Sequence, residues 1–244
     1  MMAALSGSLQ LKYREFILDM TFSLPGSSVT VIMGASGSGK STFLRCLAGL
    51  ERADGELSFA GSLWQSQKTF TPTYARGLGF VFQDENLFPH LGVEENLRLG
   101  MSKKKSENTF DWDHVLEVFH LEKLFGRNVV SLSGGEKQRL SIARTLLSSP
   151  KLLLMDEPLS ALDAKSKREV LPYIESIKSE FGIPIVYVTH SVLEASRIAD
   201  YILIMQNGKC KEFNHADEIL SKNPLLQESF TELIDLQNKF GMNI

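Results

Sequence analysis

The feature that most constrains this fold is a glycine-rich nonapeptide, Gly34 to Thr42, with the sequence GASGSGKST. It follows a continuous apolar run, Val29 to Met33, and precedes a segment with the apolar spacing of a helix. Strand, glycine loop and helix in this order are typical of a phosphate-binding loop, or P-loop. Glycines let backbone N–H groups point inward at phosphate oxygens, and the helix presents its positive end to the same anion. We therefore predict a nucleoside triphosphate site here.

Individual side chains of this loop have predicted roles. Lys40 would add a mobile cation for the β- and γ-phosphates, and Ser41 would offer a hydroxyl ligand to Mg²⁺. The predicted nucleotide-binding residues of the loop are Gly34, Ala35, Ser36, Gly37, Ser38, Gly39, Lys40, Ser41 and Thr42. A glycine-rich turn without a ligand is the alternative, but the complete nonapeptide between a strand and a helix argues against it.

Composition narrows the class of protein. The 244 residues, 43% of them hydrophobic, suit one large domain or one domain with an inserted subdomain. A net charge of -3 without a long basic block argues against nucleic acid as a partner. The longest apolar runs are too short to cross a bilayer, so another chain would supply any membrane crossing. Two cysteines without metal-ligand spacing fit a reducing cytosol.

The periodicity of apolar residues predicts a single α/β domain over 1–244 with an inserted helical segment. Strand patterns occupy residues 9–33 and return within 151–214, so 1–83 and 151–214 would form the nucleotide-binding core. Residues 84–150 read as helical, including a helix over Asp113–Phe125, and 215–244 as a short helical tail. The continuous apolar strands of the core indicate a parallel sheet that is covered on both faces.

Polar residues follow several of the predicted strands. Asp156 and Glu157 end an apolar strand, where ligands of parallel sheets gather. Asp156 could hold Mg²⁺, and Glu157 could polarise an attacking water. Gln83 and His190 also stand at strand ends, within possible reach of the γ-phosphate, the metal or the water. Isolated polar residues are usually surface groups, and the preceding P-loop is what favours a catalytic role for these two.

The segment Leu132–Glu136, LSGGE, has both a structural and a functional interpretation. Ser133 and Glu136 form a capping box that would open a helix. Capping does not require the two glycines, Gly134 and Gly135, which expose backbone N–H groups at the helix N-terminus. A second anion site of this kind suggests closure over the same nucleotide from the opposite side.

Together these motifs resemble those of the ATP-binding cassette (ABC) ATPases, the motor subunits of ABC transporters. Six motifs occur in the order of that family: Walker A at Gly34–Thr42, the Q-loop at Gln83, the signature at Leu132–Glu136, Walker B ending at Asp156-Glu157, the D-loop at Ser160–Asp163 and the switch histidine at His190. The resemblance implies a RecA-like P-loop NTPase core with a parallel sheet, an N-terminal antiparallel β subdomain and a helical insertion.

The same resemblance implies a mechanism. Two cassettes would pack head to tail as a homodimer around two ATP molecules, each site joining Lys40 and Glu157 of one chain to Ser133 and Gly135 of the other. ATP would close the dimer and hydrolysis would reopen it. Glu157 would be the general base and His190 would hold the γ-phosphate and the water.

Further ligand roles are implied for other motif residues. Gln83 would join Ser41 and Asp156 around Mg²⁺, and would relay the state of the site to the helical insertion. The nucleotide-binding set would also include Gly134 and Asp163. An aromatic residue of the first strands would stack on adenine; Tyr13 is the candidate, with Phe16 close by.

The resemblance also implies partners and a location. The helical insertion would dock an integral membrane permease near Asp84–Pro89, although Leu87–Pro89 could equally serve ordinary helix packing. A substrate-binding protein would be an indirect partner. The chain would be peripheral, on the cytoplasmic side of the inner membrane.

Within the family, parts of the chain resemble the ATPases of molybdate importers. These parts are Phe82–His90 with Asn96–Ser102, Ser131–Arg139 with Asp156–Leu159, and Leu171–Ile174. Many such ATPases carry a C-terminal oxyanion-binding domain, and we expect none here because the sequence ends at Ile244.

The sequence therefore favours the ATPase of an importer for molybdate or a related oxyanion such as tungstate. One alternative is another cargo, such as sulfate, thiamine or iron, because a cassette binds ATP and permease rather than cargo. A second alternative is an ABC ATPase that remodels DNA or ribosomes. Such proteins usually carry two cassettes or long coiled-coil insertions.

Overall fold

The computed structural model describes residues 3–13, 15–101 and 110–222. The strands are β1 (Ala3–Lys12), β2 (Ile17–Pro25), β3 (Val29–Met33), β4 (Asp54–Phe59), β5 (Ser62–Gln65), β6 (Leu78–Val81), β7 (Leu152–Asp156), β8 (Ile185–Val188), β9 (Tyr201–Gln206) and β10 (Lys209–His215). The helices are α1 (Lys40–Ala48), α2 (Val93–Gly100), α3 (Trp112–Phe119), α4 (Gly134–Leu146), α5 (Ala164–Phe181), α6 (Val192–Ile198) and α7 (Ala216–Lys222).

All ten strands form one mixed sheet in the order β5-β4-β1-β2-β10-β9-β3-β8-β7-β6. Strands β9, β3, β8, β7 and β6 pair in parallel. Strands β5, β4, β1 and β2 pair antiparallel, and β10 joins them to the parallel part. The expected α/β fold, with a parallel core and an N-terminal antiparallel portion, is therefore confirmed.

The central strands are buried on both faces, as their continuous apolar runs predict. In β7, Leu153 and Met155 belong to one hydrophobic cluster, and Leu152 and Leu154 belong to the other. Successive side chains of a strand point to opposite faces, so the sheet separates two cores. Helix α1 and the buried side chains of the antiparallel strands belong to one core, and α2 to α7 belong to the other.

The carboxyl ends of four neighbouring strands lie along one edge of the sheet. In spatial order, β3 leads into the P-loop and β8 leads to His190. Next to them, β7 ends at Asp156-Glu157 and β6 leads to Gln83. Chain order differs from spatial order, because β6 and β7 precede β8 in the sequence. The topology therefore brings motifs that are far apart in the chain to one edge.

Two predicted element boundaries were wrong. The first strand begins at Ala3 rather than near residue 9, because Leu5 to Gln10 pair with both β2 and β4. The helix expected over Asp113–Phe125 ends at Phe119, where His120 takes a left-handed conformation with φ of 50° and its N–H bonds the carbonyls of Leu116 and Glu117. Such a left-handed residue is a common helix terminator.

The described residues within 84–150 form no strand, in line with a helical segment, although an isolated bridge joins Gly92 to Asn128. Helix α5, Ala164–Phe181, lies between strands β7 and β8 of the nucleotide-binding core. Of the predicted tail, residues 223–244 lie outside the described residues. In the described ranges, we find no helix with the length and apolar character that a membrane span requires.

Candidate active site

The glycine loop leaves buried strand β3 and enters α1, as predicted. Gly39 has φ of 97°, a conformation that favours glycine. A Cβ at Gly39 would lie 2.3 Å from the ring of Phe16, and one at Gly34 would lie 2.3 Å from the backbone oxygen of Met205. Any larger residue at these positions would displace strand β9 or the ring. The two glycines therefore let the loop curl tightly at the strand end.

Lys40 lies inside the curl of this loop. Its Nζ donates to the backbone oxygens of Gly34 and Ala35 at 2.9 and 3.1 Å, and the residue is only 6% exposed. Both acceptors are neutral, so they orient the ammonium without neutralising its charge. A shielded cation at a helix N-terminus is suited to bind phosphate oxygens.

Ser41 and Asp156 meet where α1 begins and β7 ends. Ser41 Oγ donates to Asp156 Oδ1 at 2.9 Å. Burial raises the pKa of Asp156, while the Ser41 hydrogen bond acts in the opposite direction. A hydroxyl and a carboxylate side by side are hard oxygen donors of the type that Mg²⁺ prefers. The two residues therefore fit the predicted magnesium site.

Glu157 and His190 form a second pair on the neighbouring strand ends. His190 Nδ1 lies 3.3 Å from Glu157 Oε2. Glu157 has φ of 45°, a strained backbone for a non-glycine residue, and its N–H donates to the Val188 carbonyl. Backbone strain also occurs at turns and helix ends, as at His120, but it clusters at active sites, in line with a functional role for Glu157.

A cavity of about 310 Å³ lies over the P-loop. Its lining consists of Phe16, Ser36, Gly37, Gly39, Lys40, Ser41, Thr42 and Glu157. Phosphate-binding groups, a candidate base and one aromatic ring thus share a single space. Tyr13 is not part of this lining; a hydrogen bond with Glu51 is the main cause that raises its pKa. Tyr13 remains a prediction, and Phe16 is better placed beside the loop.

Gln83 lies two residues beyond the end of β6, and its side chain is exposed. It shares the sheet edge with Asp156 and Glu157 but is not among the residues that line the cavity. Its predicted contacts with metal and γ-phosphate therefore remain predictions.

The signature segment forms the N-terminus of α4, and none of its residues lines the cavity. Ser133 Oγ accepts from the Glu136 N–H at 3.3 Å, and Glu136 Oε2 accepts from the Ser133 N–H at 2.8 Å, so the expected capping box is present. Arg127 Nη1 donates to Glu136 Oε1 at 2.9 Å. Burial alone would raise the pKa of Glu136, but the bonds from Ser133 and Arg127 bring it below its usual value.

The two signature glycines have a packing role that the sequence did not reveal. A Cβ at Gly134 would lie 2.9 Å from Leu162 Cδ2, and one at Gly135 would lie 3.4 Å from Val170 Cγ2. A side chain at 134 would require Leu162 of the D-loop to move, and one at 135 would lie against Val170 of α5. These glycines therefore keep the helix N-terminus bare and also fix its position.

Asp163 is the N-cap residue of α5. Its carboxylate accepts from the N–H groups of Lys165 and Ser166 and from the Ser166 hydroxyl at 2.8 to 3.0 Å. The backbone bond from Ser166 is the main cause that lowers the pKa of Asp163. Its predicted contact with nucleotide remains a prediction, since these bonds already use the carboxylate.

The predicted docking segment, Asp84–Pro89, is held by two helices. Ser141 Oγ and Arg144 Nη2 of α4 donate to the Glu85 carbonyl at 2.8 and 3.3 Å. Asn96 of α2 bonds the backbone of Phe88 through both its oxygen and its nitrogen. Phe88 itself is 43% exposed. The segment is thus ordered by its neighbours and still presents an aromatic ring to solvent.

The far end of α1 has a brace that sequence reasoning missed. Arg76 Nη1 donates to the carbonyls of Cys46 and Leu47 at 3.1 and 2.6 Å. Its guanidinium lies 5.4 and 5.2 Å from the rings of Trp64 and Phe70. Burial lowers the pKa of Arg76 to about 10. A cation at the helix C-terminus is favourable, and it adds a donor to the Leu47 carbonyl and a second donor to the Cys46 carbonyl, which also accepts from the Gly49 N–H.

Comparison with known proteins agrees with this geometry. The ABC transporter family model matches residues 17–160, more than half of the chain. The chain belongs to the ABC transporter family. The family resemblance expected from the motifs is therefore confirmed.

Relatives within the family share more specific similarity. The chain is 49% identical over 195 residues to the molybdenum import ATP-binding protein ModC of Methylococcus capsulatus, covering 80% of this chain and 55% of that protein. It is 47% identical over 209 residues to ModC of Thiobacillus denitrificans, covering 85% of this chain and 58% of that protein. The chain therefore spans less than two thirds of the length of these relatives.

Solved ABC cassettes share the fold. The structure of cbiO1 from Clostridium perfringens, part of the ABC transporter complex cbiONQ, matches with a TM-score of 0.79 at 23% identity, over 99% of this chain and 100% of that one. A bacterial ABC transporter cassette solved as a dimer matches with a TM-score of 0.69 at 26% identity, over 87% of this chain and 98% of that one.

Proposed function

We propose that this chain is the ATP-hydrolysing subunit of an ABC importer, and that its cargo is molybdate or a related oxyanion such as tungstate. The observation that supports hydrolysis most directly is the convergence of Lys40, the Ser41–Asp156 pair and the Glu157–His190 pair on one sheet edge. The cargo rests on identities of 42 to 49% to ModC proteins of several bacteria.

Each residue has a role in the proposed hydrolysis. Lys40 and the loop N–H groups would bind the β- and γ-phosphates of ATP and withdraw charge as the terminal bond breaks. Ser41, Asp156 and Gln83 would hold Mg²⁺, whose charge screens the phosphates when it is bound. Glu157 would accept a proton from the attacking water, and His190 would keep that carboxylate aimed at the γ-phosphate.

The signature segment supports a dimer. Ser133 and the N–H groups of Gly134 and Gly135 form a phosphate-grade helix terminus, but the cavity lining contains none of them. A second copy, packed head to tail, would bring this terminus against the nucleotide of the first copy. The ABC cassette solved as a dimer, which is 26% identical, supports a dimeric state.

The proposed setting is peripheral, on the cytoplasmic side of the inner membrane. Integral membrane permease subunits would dock at Asp84–Pro89, where Phe88 is exposed and the backbone is held by α2 and α4. A substrate-binding protein would deliver cargo to that permease rather than to this chain.

Two measurements test the proposal at separate levels. The purified chain should release inorganic phosphate from ATP in a Mg²⁺-dependent manner; the absence of turnover in the chain and in its complex with a permease would refute hydrolysis. A deletion strain grown at low molybdate should lose cellular molybdenum, with sulfur and iron as controls measured in the same cells. A loss of cellular sulfur or iron instead of molybdenum would refute molybdate as the cargo but would leave the proposed ATPase activity unaffected.

A further inference from the structure

Glu194, in the first turn of α6, is a buried carboxylate that the proposed mechanism does not use. It is 4% exposed, although an uncompensated carboxylate is costly to bury. Each of its two carboxylate oxygens has different partners. Oε2 accepts from Tyr187 Oη at 2.9 Å and from Thr189 Oγ1 at 2.7 Å, and Oε1 lies 3.6 Å from Lys167 Nζ.

The network surrounds His190. Thr189 precedes the histidine, and its hydroxyl donates to Glu194 while accepting from the N–H of Ser191 at 3.0 Å. Ser191 follows the histidine and caps α6 by accepting from the Glu194 N–H. The backbone on both sides of His190 is therefore tied, through one hydroxyl, to one buried carboxylate.

The histidine itself has little other support. Its side chain is 62% exposed, and its ion-pair contact in the described residues is with Glu157, at 3.3 Å. An exposed ring at the start of a short helix takes its direction mainly from its backbone. Small errors matter here, because a displacement of about 1 Å at a catalytic group can lower a rate by about 100-fold.

We propose that Glu194 is a positioning residue for hydrolysis: it fixes Thr189 and Ser191, and through them the approach of His190 to Glu157. Lys167 compensates the charge of Glu194 from α5, four residues beyond the D-loop residue Asp163. The inference rests on the proposed ATPase function and adds a residue that the sequence motifs do not include.

A purely structural role for Glu194 is the competing interpretation. It predicts that all contacts of the carboxylate matter only for stability, in proportion to the hydrogen bonds removed. The positioning role predicts that the Thr189 bond matters for turnover and the Tyr187 bond does not, since only Thr189 is also bonded across His190. The two hydroxyls therefore provide a matched pair of substitutions.

The experiment compares Thr189→Val with Tyr187→Phe, each of which removes one hydroxyl from the same carboxylate oxygen. Single-turnover hydrolysis and binding of a fluorescent ATP analogue are measured for both, with thermal unfolding to confirm folding. We expect Thr189→Val to lower the hydrolysis rate by about 10- to 100-fold, with less than about a twofold change in nucleotide affinity. Tyr187→Phe should leave both quantities near wild type. Equal effects of the two variants on hydrolysis would overturn the inference.

A second arm asks whether Glu194 acts through His190. Glu194→Gln is measured alone and in a His190→Ala background, with Glu175→Gln as control because Glu175 also pairs α5 with α6, through Arg197. Residues that act as a unit are non-additive, so Glu194→Gln should have little further effect on hydrolysis once His190 is absent. Additive losses would contradict the positioning role. If the wild-type chain lacked ATPase activity, the proposed function would fail rather than this inference.

Discussion

The P-loop and the signature segment are both helix N-termini suited to an anion, but they are built differently. The P-loop lies at the buried end of β3, and its Ser41 is bonded to Asp156 of β7. The signature segment combines exposed residues, Ser133 and Gly134, with buried ones, and it is held by its own capping box and by the partly exposed Arg127. The P-loop meets Asp156 and Glu157, which other strands of the same chain contribute. The signature segment is ordered by its own hydrogen bonds, but its residues do not line the cavity.

This difference separates a ligand site that one chain could form alone from one that would need a second chain. In the proposed dimer, this glycine-rich terminus, which does not line the cavity, would meet the nucleotide bound by the other copy. The part-buried bonds of Lys40 and the buried bonds of Arg76 would make the P-loop half robust, and the exposed bonds of the capping box would leave the signature half adjustable. The following predictions test that contrast, from the largest expected effect to the smallest.

The P-loop half should supply the proton acceptor for hydrolysis. Glu157→Gln should lower ATP hydrolysis by about 10³-fold, because it removes the proton acceptor while preserving shape. Nucleotide binding should persist, and the variant should accumulate as an ATP-bound dimer in size-exclusion chromatography. Near-normal phosphate release would remove Glu157 as the base.

The signature half should work only in the partner of a dimer. Lys40→Ala and Ser133→Arg chains should each be inactive alone. An equimolar mixture should recover about one quarter of wild-type hydrolysis, because half of the dimers are mixed and each contains one intact site of two. If the mixture were no more active than either variant alone, the claim that the signature segment acts on the nucleotide of the partner chain would be wrong.

The buried brace of the P-loop helix should matter strongly for stability. Arg76→Ala removes the side-chain donor of the buried Leu47 carbonyl and one of the two donors of the Cys46 carbonyl, so the free energy of unfolding should fall by about 1 to 3 kcal/mol. Urea denaturation followed by circular dichroism measures the change. If Arg76→Ala lowered the free energy of unfolding by less than the surface substitution Arg127→Ala, burial would not distinguish the stability of the two regions.

The surface brace of the signature should matter least for stability. Arg127 is 41% exposed and Glu136 is 21% exposed, so Arg127→Ala should lower the free energy of unfolding by only about 0.5 to 1 kcal/mol. The difference from wild type should shrink in high salt, because exposed pairs are screened. A salt-independent loss would indicate packing rather than charge.

Periodicity and motif spacing predicted the parallel core, the helical segment and the residues at the strand ends, since these depend on local patterns. What could not be predicted depends on contacts between distant segments. Nothing near Arg76 indicates that it reaches the end of α1, and the reason for glycine at 134 appears only when Leu162 lies beside it. Phe16 could be placed over the loop only once the β1–β2 turn was known.

The mismatch between chain order and spatial order of the strands has a consequence for synthesis. Strand β3 can acquire its neighbour β8 only after Ile185 has been made, since Val29 pairs with Ile185. Pairings this distant in sequence form late, because the loop must close before any contact stabilises it. A growing chain therefore carries the phosphate-binding loop long before the strand that positions the switch histidine. Because of this topology, the phosphate-binding loop is synthesised well before the residues proposed to hydrolyse the nucleotide can come together.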